Sequence, residues 1–324
     1  MIDLLKKNGK FYKANLHCHT TVSDGHMTPE QVKKHYKNNG YSIVAFTDHN
    51  KYVYHCQLRD DDFLPIAGVE MDSALKENGV CERKITCHLN FYPKNPETAV
   101  PLQKPLNYDI PALNKYVKDM KDNGWLCTLN HTAWSLMPTE DTLAFDNLIG
   151  FEVYNHACQT LYNNGDTQVD YNLYLSSGKH AFAVAGDDNH HGFKCEDCGT
   201  IEDGDDTLGG FVYISMPELT HDAFIDAFEN GRFYASTGPI FHDLYIDEES
   251  NELVINCSPV KSVMVKCFRY TNAIAVHHNV DDITSLRLPL DYIKKESKYF
   301  FRIELLTTDG KRAYSQPYYF NDKQ

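Results

Sequence analysis

In Asn15-Leu16-His17-Cys18-His19 two imidazoles stand two residues apart. Successive side chains of an extended chain alternate faces, so His17 and His19 point the same way. The polar turn that follows carries Asp24. Five more segments, each after a short apolar run, add to the set: Thr47-Asp48-His49-Asn50, Gly68-Val69-Glu70, Cys87-His88, Asn130-His131 and Gly186-Asp187-Asp188-Asn189-His190. Together they offer His17, His19, Asp24, His49, Glu70, His88, His131, Asp188 and His190. That is too many donors for one four-coordinate ion. It suits two or three divalent transition-metal ions with Glu70 bridging, and nitrogen and oxygen donors without thiolate favour zinc, manganese or iron. Clustered ions lower the pKa of a bound water and stabilise the charge that builds on a substrate oxygen, which is hydrolytic chemistry. No serine nucleophile elbow, phosphate-binding glycine loop or dinucleotide fingerprint competes with this reading.

These donors need strand ends to hold them. Short runs rich in Val, Ile, Phe and Tyr predict strands at 12–17, 42–47, 64–70, 85–91, 125–130, 150–154, 181–187 and 210–215. Helices are expected between several of them. Thr28-Pro29-Glu30-Gln31 is a capping box with proline at the first helical position, and Asn39-Gly40 closes that helix. Asp109 opens a second helix, closed at Asn123-Gly124, and Thr220 a third, closed at Asn230-Gly231. Alternating strands and helices predict a mainly parallel sheet, and a closed β/α barrel gathers its site at the C-terminal strand ends. Every candidate donor falls there. The expected fold is therefore α/β, a TIM-like barrel over residues 1–236. After Ser236-Thr237-Gly238-Pro239, strand-like segments at 241–246, 252–257, 261–269, 299–306 and 313–320 predict a small β-rich, sandwich-like domain over 237–324.

With 324 residues, 42 % of them apolar, the chain is long enough for a sizeable core in two domains. Its formal net charge of -14 opposes extended contact with duplex nucleic acid, which needs basic clusters. A small phosphorylated substrate or an oligonucleotide end remains open, because bound cations invert the local field. There is no run of about 18 apolar residues that would span a membrane and no apolar stretch in residues 1–10 of signal-peptide length. Cys87, Cys127, Cys257 and Cys267 lie in apolar runs, as reduced thiols of a cytoplasmic protein do.

The ordered set HCH…SDG…TDHN…GVE…H…NH…GDDNH resembles the PHP (polymerase and histidinol phosphatase) superfamily of metal-dependent phosphoesterases over roughly residues 10–235. The resemblance implies a distorted barrel, often of seven strands, with a trinuclear site. It places the first ion on His17, His19, Glu70 and Asp188, the second on Glu70, His88 and His131, and the third on Asp24, His49 and His190. Family members commonly carry Gly-Ser-Asp-x-His at the last motif. Here two acids, Asp187 and Asp188, stand there, and spacing to His190 favours Asp188. Hydrolysis would then proceed by attack of a metal-bridged hydroxide, with Glu70, His131 and His190 as the catalytic residues. The tail, at Gly231-Arg232-Phe233-Tyr234-Ala235-Ser236-Thr237-Gly238-Pro239, Phe301-Arg302-Ile303-Glu304 and Ala313-Tyr314-Ser315-Gln316-Pro317, is similar to the carbaryl-hydrolase-like branch, which implies carboxylic ester, carbamate or amide hydrolysis as an alternative. Around the cluster, Trp134 is expected as a pocket wall and His26, His156 and His191 as rim residues. Arg83, Lys84 and Lys194 are candidate phosphate contacts. The pair Cys195 and Cys198 is read as a loop rather than a zinc site.

Overall fold

The computed structural model describes residues 1–77, 80–105, 107–190, 194–195, 199–200, 206–268, 273–297 and 299–320, without the side chains of residues 76–84, 194–200 and 273–281. Strands β1 (Ile2–Asp3) and β2 (Lys10–Asn15) lead into α1 (Pro29–Asn38), β3 (Ile43–Phe46), β4 (Leu64–Ala67), β5 (Val69–Glu77) and β6 (Val80–Pro93). Next come α2 (Ile110–Asp122), β7 (Trp125–Leu129), α3 (Thr139–Ala144), β8 (Gly150–Asn155), α4 (His156–Tyr162), α5 (Gln168–Ser176) and β9 (Phe182–Gly186). Two short strands, β10 (Lys194–Cys195) and β11 (Gly199–Thr200), precede β12 (Phe211–Met216), α6 (His221–Glu229) and β13 (Phe233–Ser236). The tail holds β14 (Phe241–Asp247), β15 (Glu252–Cys267), β16 (Ala273–Pro289), α7 (Leu290–Ser297), β17 (Phe300–Leu306), β18 (Arg312–Tyr314) and β19 (Tyr318–Tyr319).

The helix starts follow their caps. Thr28 Oγ1 accepts the Gln31 N–H while the Gln31 side chain accepts the Thr28 N–H, closing the box at α1. Asp109 and Thr220 cap α2 and α6 in the same way, each accepting the N–H three residues on.

The strands form a mixed α/β fold, but not the closed barrel expected. One sheet runs β1-β14-β15-β17-β18-β13-β12-β2-β3-β4, with β16 and β19 on its branches, and a second runs β5-β6-β7-β8-β9. Pairing is parallel in β2-β3-β4 and in β7-β8-β9, whereas β6 is antiparallel to both β5 and β7. The chain changes sheets at Gly68, between β4 and β5. A Cβ there would lie 3.0 Å from Thr47 Cγ2 and 3.3 Å from the carbonyl oxygens of Phe46 and Phe91, so the corner leaves space for glycine. Single bridges, His49 to Glu70 and Cys18 to Asn189, join the sheets at the strand ends that carry the donors. Beneath that end, Leu16, Ile66, Val69, Leu89, Leu129 and Val153 pack into one buried apolar cluster.

The tail was expected as a sandwich-like domain over 237–324. Its strands continue the larger sheet, because β13 pairs with β12 on one side and β18 on the other. It keeps an apolar cluster of its own around Leu244, Leu253, Val263 and Ile303, which also takes in Leu4, Leu5 and Tyr234. Segment 252–257 and residues 261–267 of the next expected strand form one strand, β15. Its register with β16 shifts around Ser258-Pro259, where a proline cannot donate to the ladder, and that break made one strand read as two.

Candidate metal centre

The donors come from strand ends of both sheets. His17 and His19 follow β2, His49 follows β3, Glu70 lies in β5, His88 in β6, His131 after β7, and Asp188 and His190 after β9. Asp48 shapes the turn between His19 and Asp24. Its carboxylate accepts the Thr20 N–H at 2.8 Å, the Ser23 N–H at 3.1 Å and both hydroxyls, which brings Asp24 round to face His49 and His190.

All nine sequence candidates meet around Glu70, which is fully buried. Its Oε1 lies 3.2 Å from His17 Nε2, 3.1 Å from His88 Nδ1 and 3.3 Å from His131 Nε2. Its Oε2 lies 3.3 Å from His19 Nε2 and 3.0 Å from His49 Nδ1. Asp188 Oδ1 stands 2.9 Å from His19 Nε2 and 3.2 Å from His17 Nε2. At the mouth, Asp24 lies 3.7 Å from His49 Nε2 and 3.6 Å from His190 Nε2. Donors bonded to one ion at about 2.0–2.2 Å are about 3.0–3.5 Å apart, the spacing of the inner part of this cluster.

Three overlapping donor sets each fit within 4.8 Å: His17, His19, Glu70 and Asp188; His49, Glu70 and His88; and His19, Asp24, His49 and His190. The first is the set the resemblance implied. In the second, His49 stands where His131 was expected, and the third also takes in His19. His131 closes the cluster from the other side, between Glu70 and Asp188, stacked against His17 at 5.8 Å.

The buried atoms His19 Nδ1, His49 Nδ1, Glu70 Oε2 and Asp188 Oδ1 make no well-formed hydrogen bond, although the last three lie within 3.3 Å of a neighbouring cluster atom. Leaving such atoms unpaired in a dry interior costs about 1–3 kcal/mol each, which coordination of a cation removes. The donor chemistry and spacing fit metal ions. Burial opposes the charge on Glu70 and Asp188, yet the surrounding imidazoles hold both carboxyls well below the usual carboxylate range. Burial likewise works against a charged His19, but the Asp188 and Glu70 carboxylates lift it to about 9. His49 has a weaker balance and burial drives it down to about 4.

A further carboxylate, which the sequence reading missed, organises this set. Glu152 in β8 is buried, and its Oε1 lies 2.9 Å from His17 Nδ1. Its Oε2 accepts the His131 N–H at 3.1 Å and the Asn155 side-chain amide at 3.0 Å, and the same amide also reaches Asp188 Oδ2 at 3.0 Å. The signal was present in Phe151-Glu152-Val153, an acid in an apolar strand. Two donors sit in left-handed backbone, His131 at φ 25° and Asp188 at φ 54°. That conformation costs energy in a non-glycine residue, and such strain collects at functional sites. It also separates the two acids. Asp188 turns into the cluster, while Asp187 turns away to accept the N–H groups of Leu208, Gly209 and Gly210 and the Tyr36 hydroxyl.

At the rim, Trp134 packs against His88 and His131. The His26 N–H donates to the His190 carbonyl at 2.9 Å, and the His156 ring pairs with the Tyr154 hydroxyl. His191 and Cys198 and the side chains of Arg83, Lys84, Lys194 and Cys195 lie outside the described residues.

The fold and this cluster define an α/β protein with a histidine–carboxylate centre suited to several metal ions. The PHP domain family model matches residues 15–194, more than half of the chain, and the protein belongs to that family. A two-domain protein from Bacteroides vulgatus containing a predicted PHP-like metal-dependent phosphoesterase is similar at 14 % identity, over 97 % of this chain and 98 % of that one, with a TM-score of 0.46. A proposed metal-dependent phosphoesterase from Bifidobacterium adolescentis is 15 % identical over 59 % of this chain and 91 % of its own, with a TM-score of 0.38. No curated protein matches the chain.

Proposed function

We propose that the protein is a metal-dependent phosphoesterase that hydrolyses a small phosphomonoester, a nucleotide or an oligonucleotide end. The observation that carries this reading is the convergence of five imidazoles on the buried Glu70, with Asp188, Asp24 and His190 completing the cluster around them. His17, His19, Glu70 and Asp188 would hold one ion, Glu70 with His88, His49 and His131 a second, and Asp24, His49 and His190 a third. Zinc, manganese or iron bound there would polarise a phosphoryl oxygen and lower the pKa of a water molecule.

The chain's own part is to present lone pairs in fixed directions. His17 Nδ1 faces the Glu152 carboxylate and His190 Nδ1 faces the Asp188 carbonyl at 2.9 Å, both of which only accept. Each ring therefore carries its proton on Nδ1 and turns a bare Nε2 to the cluster. Trp134 packs edge-on against the His88 and His131 rings. The buried thiols of Cys18, Cys87, Cys127 and Cys158 fit a cytoplasmic setting, and among the described residues no helix is long and apolar enough to cross a membrane.

The test is elemental analysis of protein never exposed to chelator, followed by a substrate panel with manganese-loaded protein. Two or three ions per chain and turnover of phosphomonoesters are expected, and His17→Ala and Glu70→Ala should each lose metal and activity while the circular dichroism spectrum holds. One ion or none would reject the multinuclear reading. Turnover of aryl carboxylic esters or carbamates without phosphatase activity would move the reaction to carbon–oxygen or carbon–nitrogen bonds.

A further inference from the structure

Beside the cluster lies an aromatic surface that holding metal does not require. Trp134 is one of two tryptophans, and the other, Trp125, is buried in the core. The Trp134 ring meets His88 at 5.6 Å and 76° and His131 at 5.1 Å and 87°, so it stands in the wedge between two candidate ligands. It is only half-buried. Tyr162, at the end of α4, brings its ring to 6.2 Å from Trp134 and remains 58 % exposed.

The surface is held in place from both sides. Ser135 donates its N–H to the His131 carbonyl, and its hydroxyl lies 3.1 Å from His131 Nδ1. Asn164 donates its side-chain amide to the Ala133 carbonyl at 2.9 Å, which ties the end of α4 to the Trp134 loop. A wall that only kept the histidines dry would need the covered part of Trp134 and nothing from Tyr162. Instead, two neighbouring rings offer uncovered π-surface at the edge of the metal centre. A small group of exposed apolar side chains beside a polar site is the usual form of a ligand subsite.

We propose that Trp134 and Tyr162 form the binding surface for an aromatic ring on the alcohol portion of the substrate, so that the preferred substrates are phosphomonoesters carrying a nucleobase or aryl group. The phosphate would lie at the Glu70 cluster and the ring against Trp134 and Tyr162. Ring stacking needs no cation from the protein, which suits a chain of net charge -14. This inference rests on the phosphoesterase reading above.

The test compares kcat/KM for phenyl phosphate and glycerol 2-phosphate with manganese-loaded protein. The intrinsic reactivities of the two esters cancel when a variant's ratio is set against the wild-type ratio. Tyr162→Ala and Trp134→Leu should each lower the phenyl-to-glycerol ratio about tenfold, as loss of a stacking partner does, and Tyr162→Phe should restore it. Independently, phenylphosphonate should quench the tryptophan fluorescence and methylphosphonate should not, with the quenching lost in Trp134→Phe. Hydrolysis of both esters with the ratio unchanged in Tyr162→Ala and Trp134→Leu would overturn the subsite and leave the phosphoesterase intact. Hydrolysis of neither ester by the wild type would overturn both.

Discussion

At the scale of the residue, the cluster depends on side chains that never face its centre. Glu152 accepts from His17, from the strained His131 backbone and from Asn155, and Asn155 passes the support on to Asp188. Three candidate ligands therefore take their aim from one carboxylate. Removing such a partner typically lowers metal affinity 10–100-fold. Glu152→Ala should fall in that range. Glu152→Gln should recover part of the loss, because its amide keeps one acceptor for His17 while turning a donor toward the His131 N–H and the Asn155 amide. A metal-buffered titration with circular dichroism as a folding control measures this, and wild-type affinity in both variants would refute it. The residues that converge in the cluster were legible in the sequence because strand-end position and residue type together single them out. Glu152 was not, because in Phe151-Glu152-Val153 an acid reads as the solvent side of an alternating strand. What makes it an inner residue is His17, 135 positions away, and no local pattern carries that. The difference between Asp187 and Asp188 was likewise legible only as spacing, while Asp188, in left-handed backbone, faces the cluster and Asp187 faces away.

At the scale of the element, the strand ends are packed tightly enough that one methyl group tests them. Gly186 ends β9, and a Cβ there would lie 2.8 Å from His17 Cβ and 2.9 Å from Glu152 Oε1. His17 Cβ cannot swing aside, so the pair Glu152 depends on would be pushed apart. Gly186→Ala is expected to cost about 1–3 kcal/mol as overpacking and to lower metal content as well. Calorimetry of the metal-free protein and elemental analysis separate the two effects, and an unchanged Tm with full metal would show that the strand end yields. Elements with their own start signals were legible: the capping box at Thr28 and the caps at Asp109 and Thr220 mark α1, α2 and α6. Helix α4 was not, since its cap, Asn155, is also the last residue of β8 and leaves no loop to read. The reversed direction of β6 was hidden for a different reason. Antiparallel pairing with both β5 and β7 is a choice of neighbours, and apolar strands look alike whichever way they run.

At the scale of the whole molecule, charge bears on stability and on the partners proposed. In metal-free protein the depressed Glu70 and Asp188 contribute stability that is complete above their unfolded values near pH 4 and is lost as pH falls through their folded values. His17 and His19 act oppositely. Their raised values contribute stability that is complete below about pH 6.5 and is lost as pH rises, through about 9 for His19. Metal ions need the neutral imidazoles, so they bind more tightly over the same rise. The gap in Tm between metal-loaded and metal-free protein should therefore widen from pH 6.5 to 9, and a constant gap in calorimetry would show that these histidines do not bind metal. Beyond the cluster, several surface cations pair with nearby acids. Lys7 pairs with Asp243, Lys33 and Lys37 with Asp60, Lys115 with Asp119, Lys118 with Asp122, and Arg287 with Asp247 and Glu252. Such pairs offset part of the positive charge that would displace counterions along a duplex, and the net charge of -14 opposes its approach. On the proposed function, the metal-loaded centre would still attract a single terminal phosphate, and Asp24 at its mouth has 54 % side-chain exposure. Manganese-loaded protein should therefore act on nucleotides and on the ends of short oligonucleotides, and closed circular DNA, which has no ends, should survive incubation at physiological salt. Efficient nicking of that circle, followed by gel electrophoresis, would mean that an internal phosphodiester reaches the cluster against the field of the whole chain.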